Sequence, residues 1–159
     1  VTALVRDGSA VFDVFLTALT LESGSAWGVY LALVAAGAIA VVLHELVHGA
    51  AGWLSDCEVS FGRHGWGVAT RLRGGFLSRR DDLIITLAPT VVLTVVGVTL
   101  LVVVDSPLAA ALVVAGLVAN AAGIGSDLAD ALALRKLPPG TLLYYGDDGQ
   151  FAYEPASAD

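Results

Sequence analysis

Three long apolar runs constrain this chain more than any other feature. Ala26 to Leu54, Leu83 to Val104 and Pro107 to about Leu137 each have the length to cross a membrane. A hydrocarbon core about 30 Å thick takes roughly 20 helical residues. The chain has 159 residues, of which 57 % are hydrophobic and 14 % charged. Small domains bury the smallest share of their surface, so a globule of this size cannot hide so much apolar area from water. A soluble globular enzyme, a disordered chain and a disulfide-built fold are all disfavoured. Cys57 is the only cysteine, which rules out an intrachain disulfide and a cysteine metal cluster. The net charge of −7 argues against nucleic acid as a partner, because phosphate binding needs basic clusters.

The expected fold is therefore mainly α, a polytopic membrane helix bundle with about three spanning helices. Ser106 and Pro107 mark the start of the third span as N-cap and first helical residue. A shorter segment, Ser9 to Leu21, carries Asp13 and is too short to span. Phe12, Phe15, Leu16 and Leu19 give it one apolar helical face. It reads as an interfacial or half-buried helix, the alternative being a signal peptide that opens at Arg6 and ends near "SGSA". The chain opens at Val1 and contains no methionine, which fits a processed or trimmed start.

Between the first two spans, "EVSFGR" and "GVATRLR" flank the turn-forming "HGWG" and predict a small β-hairpin. After "LPPG", the tail "TLLYYGDDGQFAYE" predicts a second hairpin. Residues 1–137 are expected to form the membrane-embedded domain and 138–159 a short polar tail. Arg63, Arg71, Arg73, Arg79 and Arg80 lie between spans one and two, and Arg135 and Lys136 follow span three. Both groups face the cytoplasm if the first and third spans run inward. The expected location is a prokaryotic plasma membrane, multi-pass, with the site nearer the cytoplasmic side.

The chemistry is concentrated in His44-Glu45-Leu46-Val47-His48, an HExxH motif. On a helix the two histidines stand one turn apart on one face and can hold one Zn²⁺. Glu45 then lies where it can take a proton from a metal-activated water. Ionisable groups inside an apolar span are costly and usually mark function. The plainer alternative is a polar cluster whose members only bond one another inside a bundle.

A catalytic zinc site normally has three protein ligands, so a third must come from elsewhere. Asp127 and Asp130, in "NAAGIGSDLAD", are the acids inside another long apolar run. His44 lies eighteen residues beyond Ala26, and Asp127 twenty beyond Pro107. At 1.5 Å per residue the two fall at similar depth if both helices run inward. Asp127 is the expected third ligand, with Asp130 the alternative. Asn120, two turns before Asp127, is a candidate for binding a substrate backbone or oxyanion, or else interhelical glue.

"HELVHG", a later "LAP", then "NAAGIGSDL" and "LRKLPPG" resemble the putative zincin peptidase family, from about Ala26 to the tail. That family is related to the site-2 protease type of intramembrane metalloprotease. The resemblance implies His44, His48 and Asp127 as zinc ligands and Glu45 as base. The expected function is an intramembrane zinc metalloprotease that cleaves membrane-associated protein or peptide substrates. The alternatives are a non-catalytic metal-binding membrane protein or adaptor, and a zinc hydrolase of lipids or small amides. His64 reads as a turn residue, Cys57 as structural, Trp27 and Trp53 as interfacial belt residues, and Pro89 as a kink in the second span.

Overall fold

The computed structural model describes residues 7–20, 24–64, 67–146 and 149–154. Arg6, the 21–23 stretch, Gly65, Trp66, Asp147 and Asp148, on which the signal-peptide reading and the two turn centres rest, lie outside them. The order is α1 (Gly8–Thr20), α2 (Gly24–Leu54), β1 (Glu58–His64), β2 (Gly67–Arg73), β3 (Phe76–Ser78), α3 (Arg79–Val103), α4 (Pro107–Leu134), β4 (Leu142–Gly146) and β5 (Gly149–Tyr153). Helices α2, α3 and α4 are long and apolar enough to cross a membrane. Only 17 % of the most apolar window of each is buried within the protein, so these helices turn their apolar side chains outward. That is the mainly helical, three-span architecture the sequence implies.

The helix ends are written in the sequence. Asp7 Oδ1 accepts from Ala10 N–H and caps α1. Ser78 Oγ accepts from Asp81 N–H and donates to Asp81 Oδ2, a reciprocal cap at the start of α3. Ser106 caps α4. Helix α2 stops where Asp56 adopts a left-handed φ of 59° and Cys57 N–H returns to the Gly52 carbonyl.

The chain divides into two compact units, Val1–Val42 with Val91–Ala122 and Leu43–Thr90 with Gly123–Asp159. The first is helical. Its core joins Val11, Ala110 and Ala111 to Val14, Phe15, Leu33, Leu101 and Val104. Helix α1 thus buries Val11, Val14, Phe15 and Ala18, while Phe12, Leu16 and Leu19 are exposed. The packed face is rotated from the Phe12–Phe15–Leu16–Leu19 stripe expected from sequence. The inner face carries the smaller side chains Val11, Val14 and Ala18, which let the helices approach closely. Helices α2 and α4 meet through Ala36, Gly37, Ala40, Gly116 and Ala119 by the same logic.

The second unit is mixed. Strands β1 and β2 form the expected antiparallel hairpin, with Glu58 opposite Arg73 and His64 opposite Gly67. Val59, Phe61 and Leu72 lie against Gly49 and Gly52 of α2, where a Cβ would collide with the Phe61 and Leu72 side chains. The tail hairpin β4–β5 also forms, and the short strand β3 joins it in the order β3-β4-β5. Strand β3 was not foreseen. The inner face of this sheet, Leu77 and Leu143, closes a core with Cys57, Ile85 and Leu134. Gly74 and Gly75, both at positive φ, turn the chain from β2 into β3.

Candidate metal centre

Glu45 and both histidines of the motif lie in the stretch of α2 that belongs to the second unit, as does Asp127 of α4. His44 Nε2 is 3.2 Å from Asp127 Oδ2, and His48 Nε2 is 3.4 Å from Asp127 Oδ1. His44 and Asp127 are buried and His48 half-buried. Among the described residues these three make a group able to hold a metal ion, their donor atoms all within 4.8 Å of one another. Asp130 is exposed and outside the group.

The donor set fits zinc on three counts. Ligand bonds of about 2.0–2.1 Å at tetrahedral angles hold donor atoms roughly 3.3 Å apart, and the two His–Asp pairs stand at 3.2 and 3.4 Å. Asp127 Oδ2 is buried yet accepts no hydrogen bond, an acceptor left for a cation. The His48 tautomer is also fixed. Its Nδ1 is 2.9 Å from the Ile85 carbonyl, which can only accept, so Nδ1 carries the proton and Nε2 presents its lone pair.

Gly123 seats the other imidazole. A Cβ there would lie 2.9 Å from His44 Cε1 and 3.2 Å from Nε2, so the ring rests directly on the α4 backbone. Gly123→Ala is expected to tilt His44 and weaken zinc binding by roughly the 10–100-fold that loss of an outer-shell partner costs. Competition with a zinc chromophore would measure it.

Glu45 is engaged by strand β2. Thr70 N–H donates to Glu45 Oε2 at 2.6 Å, and Thr70 Oγ1 donates to the Glu45 backbone carbonyl at 2.6 Å. One carboxylate oxygen is thereby aimed by the strand. Glu45, His48 and Asp127 line a cleft of about 810 Å³, together with Thr70, Arg71 and Arg73 of β2. The contact joins residues far apart in sequence, and no motif announces Thr70.

Asn120 is buried on α4, two turns before Asp127, in the helical unit. His64 ends β1 opposite Gly67. Burial pushes the Cys57 thiol up, helped by the charges of Asp82 and Asp56, so it stays protonated and inert. Sequence reasoning also missed Asp82, a buried carboxylate that accepts from Tyr145 Oη at 2.7 Å and from Gln150 Nε2 at 3.1 Å. Burial and the neighbouring Asp82 push the Tyr145 hydroxyl well above the usual tyrosine range, which keeps it a donor. This cluster ties the tail hairpin to the first turn of α3.

A family model described as putative zincin peptidase matches residues 37–142, two thirds of the chain, and takes in the HELVH motif and Asp127. No curated protein matches the chain. No solved structure matches it either. With its histidine pair and buried aspartate inside the matched span, the chain belongs to the putative zincin peptidase family.

Proposed function

We propose that this protein is an intramembrane zinc metalloprotease that cuts membrane-associated peptide segments. The observation that carries the reading is the His44–His48–Asp127 triad, whose His–Asp pairs stand at zinc-like spacing and whose His48 and Asp127 open onto the same cleft as Glu45. His44, His48 and Asp127 would hold the metal. When bound, zinc supplies a Lewis acid that polarises a carbonyl and makes water acidic enough to ionise near neutral pH.

The chain's own residues do the rest. Glu45 takes a proton from water in the cleft and delivers it to the departing amine. Thr70 N–H holds Oε2, so the proton goes to Oε1, the oxygen without that bond. His48, locked by Ile85, cannot swing to compete for the proton.

A transmembrane helix hides its peptide groups in internal hydrogen bonds, so a substrate must unwind before attack. Thr70 N–H points away from β1, and by strand alternation the backbones of Val68 and Leu72 do too. An unwound segment can pair with the backbones of Val68 and Leu72, on either side of the Thr70 N–H that holds Glu45, and bring its scissile carbonyl beside the triad. The polar lining of the cleft, with Arg71 and Arg73, favours an extended peptide over an acyl chain.

The test is metal removal. The full chain in lipid vesicles, given a pool of transmembrane peptides, is expected to generate new termini by mass spectrometry. A zinc chelator should stop their appearance, and added Zn²⁺ should restore it. Cleavage that survives complete chelation sinks the reading. A zinc-loaded protein that cuts none of the peptides shifts the balance to the metal-binding adaptor.

A further inference from the structure

The outer face of the β3–β4–β5 sheet is aromatic and has no partner among the described residues. Phe76, Tyr144 and Phe151 are opposite one another in register, and Leu142 and Tyr153 follow on the same side. Phe76 is 61 % exposed, Tyr153 51 %, Phe151 45 % and Leu142 43 %. Three of the rings form one cluster, with Phe76 5.3 Å from Tyr144 and 5.6 Å from Tyr153 between centroids. Contiguous apolar patches of this kind are rare on surfaces that face water.

We propose that this face lies in the headgroup layer of the lipid bilayer and anchors the tail hairpin there. The sheet packs where α4 ends and α3 begins. Its inner residues Leu77 and Leu143 pack with Ile85, in the second turn of α3, and with Leu134, the last residue of α4. Ile85 lies six residues into α3, about 9 Å along the axis, which brings the sheet to about the level where the headgroup layer meets the hydrocarbon. A sheet packed beside the first two turns of α3 turns its opposite face toward whatever surrounds that end of the helix. That surrounding is lipid wherever α3 and α4 cross a membrane.

The tethers are short at both roots. Strand β3 runs directly into α3 at Arg79, and only residues 135–141 separate α4 from β4. Arg79 Nη1 bonds the Leu137 carbonyl at 2.6 Å, which fastens the two roots together. Arg80, Arg135 and Lys136 are exposed beside them, complementary to anionic headgroups. Tyrosine and phenylalanine over a basic rim match the chemistry of that layer. Such anchoring does not depend on catalysis.

The test places single tryptophans by Phe151→Trp or Tyr153→Trp in the full chain, with Trp27, Trp53 and Trp66 changed to Phe. The protein is reconstituted in phosphatidylcholine–phosphatidylglycerol vesicles carrying bromine near the headgroup or near the acyl end. Loss of fluorescence with the shallow bromine, little with the deep one, and shielding from iodide are expected. Iodide quenching without lipid quenching means the face meets water and overturns the proposal. Shielding from both means a protein surface, such as a second copy, covers it, and overturns it equally. In the unsubstituted chain, a photoactivatable headgroup lipid should label the 142–153 peptide, so a tryptophan variant that misfolds leaves the question decidable. No labelling there counts against lipid contact.

Discussion

Asp127→Ala is expected to leave the folded protein without zinc, while Asp130→Ala keeps about one zinc per chain. The two acids sit three residues apart on α4, yet only Asp127 is buried against both imidazoles, at 3.2 and 3.4 Å. Asp130 is exposed on the wall of the cleft. Losing an outer-shell partner costs roughly 10–100-fold in metal affinity, and losing one of three direct ligands should cost more. Metal analysis of the detergent-purified proteins reads this directly. Thermal unfolding gives an independent readout, since a ligand held at about 100 times its Kd adds about 2.7 kcal/mol of stability. Zinc should therefore raise the melting temperature of the wild type and of Asp130→Ala, and leave Asp127→Ala unmoved. A folded wild type that takes up no zinc would turn the HELVH cluster into a structural one.

What the sequence disclosed follows the range of the forces involved. His44 and His48 are one turn apart, so their shared face is a local property of a helix and was visible at once. The Ser106–Pro107 start of α4 and the alternating β1 and β2 runs are local in the same sense. Strand β3 has three residues, too few to display a period, and exists because Leu143 and Leu77 share a core. The bond from Thr70 to Glu45 links positions 25 residues apart and depends on Gly49 and Gly52 letting the hairpin lie flat on α2. The α1 stripe misled for a related reason. Val11, Val14, Phe15 and Ala18 have the same i, i+3, i+4, i+7 spacing as Phe12, Phe15, Leu16 and Leu19, and the larger set is the more exposed. Wherever lipid surrounds a helix, hydrophobicity no longer tells inside from outside; fit does.

Glu45→Gln is expected to retain zinc and lose cleavage, and it separates the catalytic reading from the adaptor one. The two side chains are nearly isosteric, and a glutamine oxygen can still accept from Thr70 N–H, so the hairpin keeps its hold on α2. What disappears is the ability to take a proton. A general base contributes typically 10²–10⁴-fold, about 3–5 kcal/mol of barrier, and that is the expected fall in the rate of peptide cleavage. Metal content should stay at the wild-type level, because Glu45 is not in the His44–His48–Asp127 group. A pure metal-binding or adaptor protein has no use for a carboxylate aimed into the cleft, and its partner binding should be indifferent to the change. Full cleavage by Glu45→Gln would assign the proton to another group on the cleft wall. Loss of both zinc and cleavage would mean that Glu45 supports the site rather than working in it.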